Sequence, residues 1–180
     1  MQFIARLWYN ETIMTERKEQ LYIQSENINP KICAFTGHRT LGEDFSAEKL
    51  YTETENLIKQ GVDTFLNGMA IGFDLQAAET VLALKKIYPN IRLIACIPCY
   101  HQEKNYSEKD KQRYVEIVKQ ADEKITLSEH YFRGCMQQRD RYMADRADVL
   151  IIYQRTEVGG TAFTAKYFYK KYPFKRRIFL

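Results

Sequence analysis

No stretch of this 180-residue chain is apolar for long enough to span a bilayer, which takes about 20 residues. The segment Met1 to Asn10 has a short apolar patch, but neither the long apolar core nor the small-residue cleavage site of a secretory signal. A cytoplasmic protein without a membrane partner is expected. Cysteine is scarce: Cys33, Cys96, Cys99 and Cys135 are the whole set. Cys33 and Cys96 fall in strand-like apolar runs, where a free cysteine packs as a small hydrophobe, so reduced thiols are expected. Cys96-Ile97-Pro98-Cys99 has redox spacing, but it ends a strand rather than opening a helix. A tetrahedral zinc site would need a second pair of ligands, and no second Cys pair exists. No metal is expected. A large charge excess is also lacking. The net charge is +4 and, apart from Lys175-Arg176-Arg177, it is not gathered in one tail. That suits a small anionic ligand and does not demand nucleic acid. No Ser-His-Asp order, nucleophile elbow or His-Glu-x-x-His pattern is present.

Two regions can be distinguished. Residues 1–30 are mostly polar after Tyr9, with no clean period, and end at Pro30. They are read as an N-terminal extension. Residues 31–180 alternate short apolar runs with amphipathic stretches. Strands are expected at Ile32–Phe35, Thr64–Leu66, Ile91–Ile97, Lys124–Leu127, Asp148–Tyr153 and Ile178–Leu180. Helices are expected from Ser46 to Gln60, Phe73 to Tyr88, Ser107 to Ala121, Met136 to Arg146 and Thr161 to Tyr172. The continuous apolar strands suit a sheet covered on both faces. Strand–helix alternation implies an α/β fold: a three-layer α/β/α domain with a mainly parallel sheet and right-handed crossovers.

Three glycine-bearing turns follow expected strands and open helical patterns. They are Thr36-Gly37-His38-Arg39, Gly68-Met69-Ala70-Ile71-Gly72-Phe73-Asp74 and Gly159-Gly160-Thr161. The carboxyl ends of parallel strands are where such folds bind ligands. Helix N-termini there offer free N–H groups and the positive end of a dipole to phosphate. Arg39 can clamp a phosphate with two parallel bonds, and His38 can donate or exchange a proton. Asp74, in a first helical turn, can accept from a sugar hydroxyl. Thr161 can cap its helix or bond an anion. Along Arg139-Asp140-Arg141, neighbours point in different directions, so one arginine is expected to reach the site and the other to be solvated or salt-bridged. For acid–base chemistry the candidates are Asp74 and Glu157, with His38 and Asp140 behind them.

In that order, Thr36-Gly37-His38-Arg39, Asn67-Gly68-Met69-Ala70-Ile71-Gly72-Phe73-Asp74, Arg139-Asp140-Arg141-Tyr142-Met143-Ala144-Asp145 and Gly159-Gly160-Thr161 resemble the SLOG superfamily of Rossmann-like proteins, and within it the YpsA-like branch. The segment Gln102-Glu103-Lys104-Asn105 is similar to that branch as well. The resemblance covers about residues 31–180. It implies a Rossmann-like fold and a nucleotide or ADP-ribose-like ligand over the strand ends. The ligand would be held by Thr36, Gly37, His38, Arg39, Gly68, Met69, Ala70, Gly72, Asp74, Arg139, Gly159, Gly160 and Thr161. Superfamily relatives include DNA-processing protein A, which binds single-stranded DNA, and the LOG phosphoribohydrolases. The latter carry a glutamate one turn after their glycine–threonine motif. Here Ala162-Phe163-Thr164-Ala165 follows instead, which removes that carboxylate. The expectation is a nucleotide-binding module, with a nucleotide N-glycosidase or a single-stranded DNA binder as alternatives. The aromatic last helix, with Phe163, Tyr167, Phe168 and Tyr169, supplies a surface for a homodimer or packs on the sheet.

Overall fold

A computed structural model describes residues 31–180, and the extension expected over residues 1–30 lies outside the described residues. Six strands form one sheet: β1 (Ile32–Gly37), β2 (Thr64–Asn67), β3 (Arg92–Ile97), β4 (Glu123–Thr126), β5 (Val149–Tyr153) and β6 (Arg176–Phe179). Their order is β4-β3-β2-β1-β5-β6 and every pairing is parallel. Five α-helices cross between them: α1 (Ala47–Lys59), α2 (Phe73–Lys85), α3 (Glu108–Gln120), α4 (Cys135–Arg146) and α5 (Gly160–Lys171). A short 3-10 helix, Gln102–Asn105, follows β3. This is a Rossmann-like three-layer fold.

The period of two along each strand builds two cores. Cys33, Phe35, Val149, Ile151 and Tyr153 face the layer that holds α1, α2 and α3. Ala34, Leu150 and Ile152 face the layer that holds α4 and α5. A strand apolar at every position is therefore buried twice, as β5 is. Helix ends follow local chemistry. Ser46 accepts from Lys49 N at 3.0 Å to cap α1, and Ser107 accepts from Asp110 N at 3.1 Å to cap α3. At the amino edge of the sheet, the Asp148 carboxylate accepts from both Lys31 N and Ile32 N at 3.1 Å, which fixes β1 against β5.

The boundaries move by a few residues from those expected. β1 continues to Gly37, because Phe35, Thr36 and Gly37 stay in register with β5. α2 ends at Lys85, and Ile87 and Tyr88 complete a tighter last turn onto the Leu84 carbonyl. β6 begins at Arg176, whose partner is Val149.

The strand order fixes where a ligand can sit. From β1 the chain moves outward through β2, β3 and β4, and then crosses back to lay β5 and β6 on the other side. The helices before and after that crossing cover opposite faces, so the loops leaving β1 and β5 diverge. The crevice between them is the topological switch point, where open α/β sheets bind ligands.

Candidate functional site

A cleft of about 590 Å³ opens at the switch point, between the carboxyl ends of β1 and β5. From the first turn it takes Thr36, Gly37, His38 and Arg39. From the second it takes Ala70 and Asp74, and from α4 Arg139 and Asp140. From the third it takes Gly160 and Thr161. Loops distant in sequence thus meet along one rim because all six strands run the same way.

Gly68, Met69 and Gly72 do not line the cleft but support its wall, and Gly159 stands exposed beside it. Met69 is fully buried at φ 58°, and Asn67 holds it there. The Asn67 Oδ1 accepts from Met69 N at 2.8 Å, and its Nδ2 donates to the Asp74 carbonyl at 2.7 Å. Gly68 has a different use. A Cβ there would lie 2.1 Å from the Arg139 guanidinium and 2.8 Å from the Asp74 carboxylate. Gly72 sits at φ 78°, and a Cβ would meet the Arg39 carbonyl oxygen at 2.1 Å. Both glycines therefore let the second turn press against the first and against α4. Gly159 caps α5 at φ 97°, with open space around it.

Arg139 is buried, as is Asp74. Its Nε donates to Asp140 Oδ1 at 2.7 Å, and its Nη1 donates to the Gly68 carbonyl. Two of its three guanidinium nitrogens bond the protein, so it is a strut of the cleft wall more than a free cation. Arg141 takes the other course. It stacks over Phe163, 5.2 Å from the ring centroid, in the α4–α5 packing. Arg39, by contrast, is exposed, lines the cleft, and makes no side-chain hydrogen bond or ion pair among the described residues.

Asp74 is the chemically distinctive group. Its Oδ2 accepts from Ala70 N at 3.3 Å. Burial raises its pKa from 3.8 to about 6, against the lowering pull of Arg139, and Asp140 adds a smaller raising effect. The carboxyl therefore exchanges its proton near neutral pH, at the wall of a cleft. Glu157 does not join it. Its carboxylate is exposed, lies outside this cleft, and pairs with Lys166 at 3.6 Å.

His38 is partly structural. Its Nε2 accepts from Thr156 N at 3.3 Å, its backbone N–H donates to the Tyr153 carbonyl at 3.3 Å, and its ring meets Tyr153 edge-on. Two threonines are more open to a ligand. Thr36 and Thr161 are more than nine-tenths buried and line the cleft, and neither hydroxyl has a hydrogen-bond partner among the described residues. No side chain among the described residues caps α5, and its first N–H groups face the same space.

Sequence reasoning missed four supporting residues. Asn67 latches the second turn. Gln102 donates to the Gly68 carbonyl at 3.0 Å, and Tyr106 donates to the Met69 carbonyl at 3.1 Å, so the 3-10 segment braces that turn. Arg155 lines the cleft from the end of β5 and pairs with Asp44 at 3.3 Å. Asn67 and Gln102 stood inside segments already singled out. Arg155 had no signal beyond its place after the strongest strand.

The family model YpsA, described as "YspA SLOG family", matches residues 44–176. The chain belongs to this YpsA SLOG family. The match begins after the first turn, so Thr36 to Arg39 fall outside it. Among curated proteins, UPF0398 protein YpsA of Bacillus subtilis is 27% identical over 143 residues, covering 73% of this chain and 79% of that one. UPF0398 protein BH1768 of Halalkalibacterium halodurans is 30% identical over 110 residues, covering 59% and 58%. Two solved structures of DNA processing protein A share the fold. The Helicobacter pylori protein, whose single-stranded DNA binding mode that structure addresses, gives a TM-score of 0.61 at 24% identity, over 84% of this chain and 65% of that chain. The Streptococcus pneumoniae protein gives 0.57 at 19% identity, over 79% and 47%. No helix among the described residues is long and apolar enough to cross a membrane.

Proposed function

We propose that the switch-point cleft binds the phosphate and ribose of a nucleotide or nucleotide derivative, and that the protein acts as a nucleotide-responsive binding module. The observation that carries this is the convergence at one point of the N-terminus of α5, Arg39 and the solvent-accessible hydroxyls of the otherwise buried Thr36 and Thr161, none of which has a side-chain partner among the described residues. Together they offer an anion several N–H and O–H donors and one exposed guanidinium. Asp74, across the cleft, accepts from a sugar hydroxyl. The family and the DNA processing protein A fold are compatible with a nucleotide-related or DNA-binding role.

A binding role is favoured over nucleotide N-glycosidase chemistry because the cleft offers acid–base work few groups. Cleaving a glycosidic bond needs a carboxylate beside the anomeric carbon. Glu157 is turned away, which leaves Asp74. The two are separated by one assay: free base released from a nucleoside monophosphate, abolished by Asp74→Asn, establishes the enzyme, and binding without release establishes the module. The binding itself is tested by calorimetric titration with a nucleoside monophosphate at low salt. Saturable binding weakened by Arg39→Gln supports the reading, and heat flat across all four bases refutes it.

A further inference from the structure

A second groove, of about 480 Å³, adjoins the first. Arg155 and Thr156 line both, so the β5–α5 loop forms a low wall between them. The far side of that wall is built from the edge of the sheet and the outer face of α5. In β6, Ile178 points into the core under α1 and α2, so Arg177 and Phe179 point to the other face. On α5, Ala165 and Tyr169 are one turn apart and line the same groove.

The chemistry of this groove is unusual for a solvated sheet edge. Tyr169 is 58% exposed and Phe179 is 57% exposed, so two large rings stand open to water. The Arg177 guanidinium lies over the Tyr169 ring, 4.3 Å from its centroid. Lys166 donates to the Glu157 carbonyl at 3.1 Å and stands beside the Glu157 carboxylate at 3.6 Å. Of the three cations lining the groove, Arg155 pairs with Asp44 and Lys166 with Glu157, which leaves Arg177 without an ion pair among the described residues. Flat aromatic and guanidinium surfaces beside excess positive charge are what a nucleobase and its phosphate require.

We infer that this groove is a second nucleoside subsite, and that the ligand is two nucleosides joined through phosphate. The first unit puts its phosphate against α5 and Arg39. The linkage crosses the loop at Arg155 and Thr156. The second base stacks in the groove against the Tyr169–Arg177 pair, with Phe179 beside it. This inference rests on the proposed function of the first cleft and names the ligand class that cleft would serve.

Affinities for AMP, for 5′-phosphorylated diadenylate and for diadenosine diphosphate are to be measured by calorimetry on wild-type protein and on Tyr169→Ala and Tyr169→Phe. Stacking one base on an aromatic side chain makes the two-nucleoside ligand roughly tenfold tighter than AMP in wild type. Tyr169→Ala erases that advantage and leaves AMP unchanged, while Tyr169→Phe keeps it. The better of the two ligands tells a phosphodiester from a pyrophosphate linkage. If AMP binds and neither longer ligand exceeds it, or if the advantage survives Tyr169→Ala, the second subsite is refuted and the first cleft stands. If none of the three binds, both readings fall together.

Discussion

The guanidinium of Arg139, on α4, donates to the carbonyl of Gly68, in the turn after β2, and so ties together the two layers that flank the cleft. The same side chain bonds Asp140 and lies beside Asp74. A buried cation facing two carboxyls is a structural commitment, because removing it strands charge in a poor solvent. Arg139→Met is expected to cost about 3–5 kcal/mol in urea unfolding. Arg139→Lys recovers only part of this, since an ammonium cannot reproduce the planar fork. A variant within about 0.5 kcal/mol of wild type would show that the strut is dispensable.

Gly72 and Gly159 both have positive φ, yet they should respond differently to alanine. At Gly72 the added methyl carbon meets the Arg39 carbonyl oxygen at 2.1 Å, so the first turn must move. At Gly159 nothing among the described residues lies within 4 Å, and the cost is the backbone conformation alone. Gly159→Ala is expected to lose about 1–3 kcal/mol, and Gly72→Ala more than that. Chemical denaturation of the two variants side by side checks the ranking. Equal losses would mean that the close approach at Gly72 relaxes freely.

The pH response of Asp74 has a definite sign. Its folded pKa of about 6 lies above the usual 3.8. The folded protein therefore holds this proton more tightly than the unfolded chain. The contribution to stability is fully present below about 3.8 and is lost as pH rises through about 6. A shift of this size corresponds to about 3 kcal/mol. Asparagine does not titrate. The stability of Asp74→Asn relative to wild type should therefore rise between pH 4 and pH 7.5, toward that ceiling. Carboxylates such as Asp122 and Asp145, held below their usual range, pull the other way in both proteins and cancel in the difference. A pH-independent difference would place Asp74 in a wetter site.

The fold was legible because its signals are local. The unbroken run Val149-Leu150-Ile151-Ile152 marks a strand buried on both faces, and Ser46 and Ser107 mark helix starts by a chemistry that works within one turn. The gathering of Thr36, Asp74 and Thr161 at one edge also followed, since parallel strands put like ends together. The roles within that cluster did not follow. Whether a glycine faces a ligand or a neighbouring loop depends on tertiary distance, and Gly68 and Gly72 proved to face protein. The same holds for Arg139, whose residue type fits an anion site but whose partners are Asp140 and Gly68. The groove of Tyr169, Arg177 and Phe179 was hidden because it joins a helix face to an edge strand, and no sequence period spans the two.

Arg39 offers the cleanest separation of binding from folding. It is exposed and has no side-chain hydrogen bond or ion pair among the described residues, so Arg39→Gln should unfold with wild type to within about 0.5 kcal/mol. The decisive experiment is calorimetric titration of both proteins with a nucleoside monophosphate at low ionic strength. Wild type is expected to bind one equivalent, and Arg39→Gln to bind roughly ten- to a hundredfold more weakly, as losing a charged hydrogen bond to phosphate implies. Equal affinities in the two proteins, or no binding by wild type, would contradict a phosphate site at the switch point.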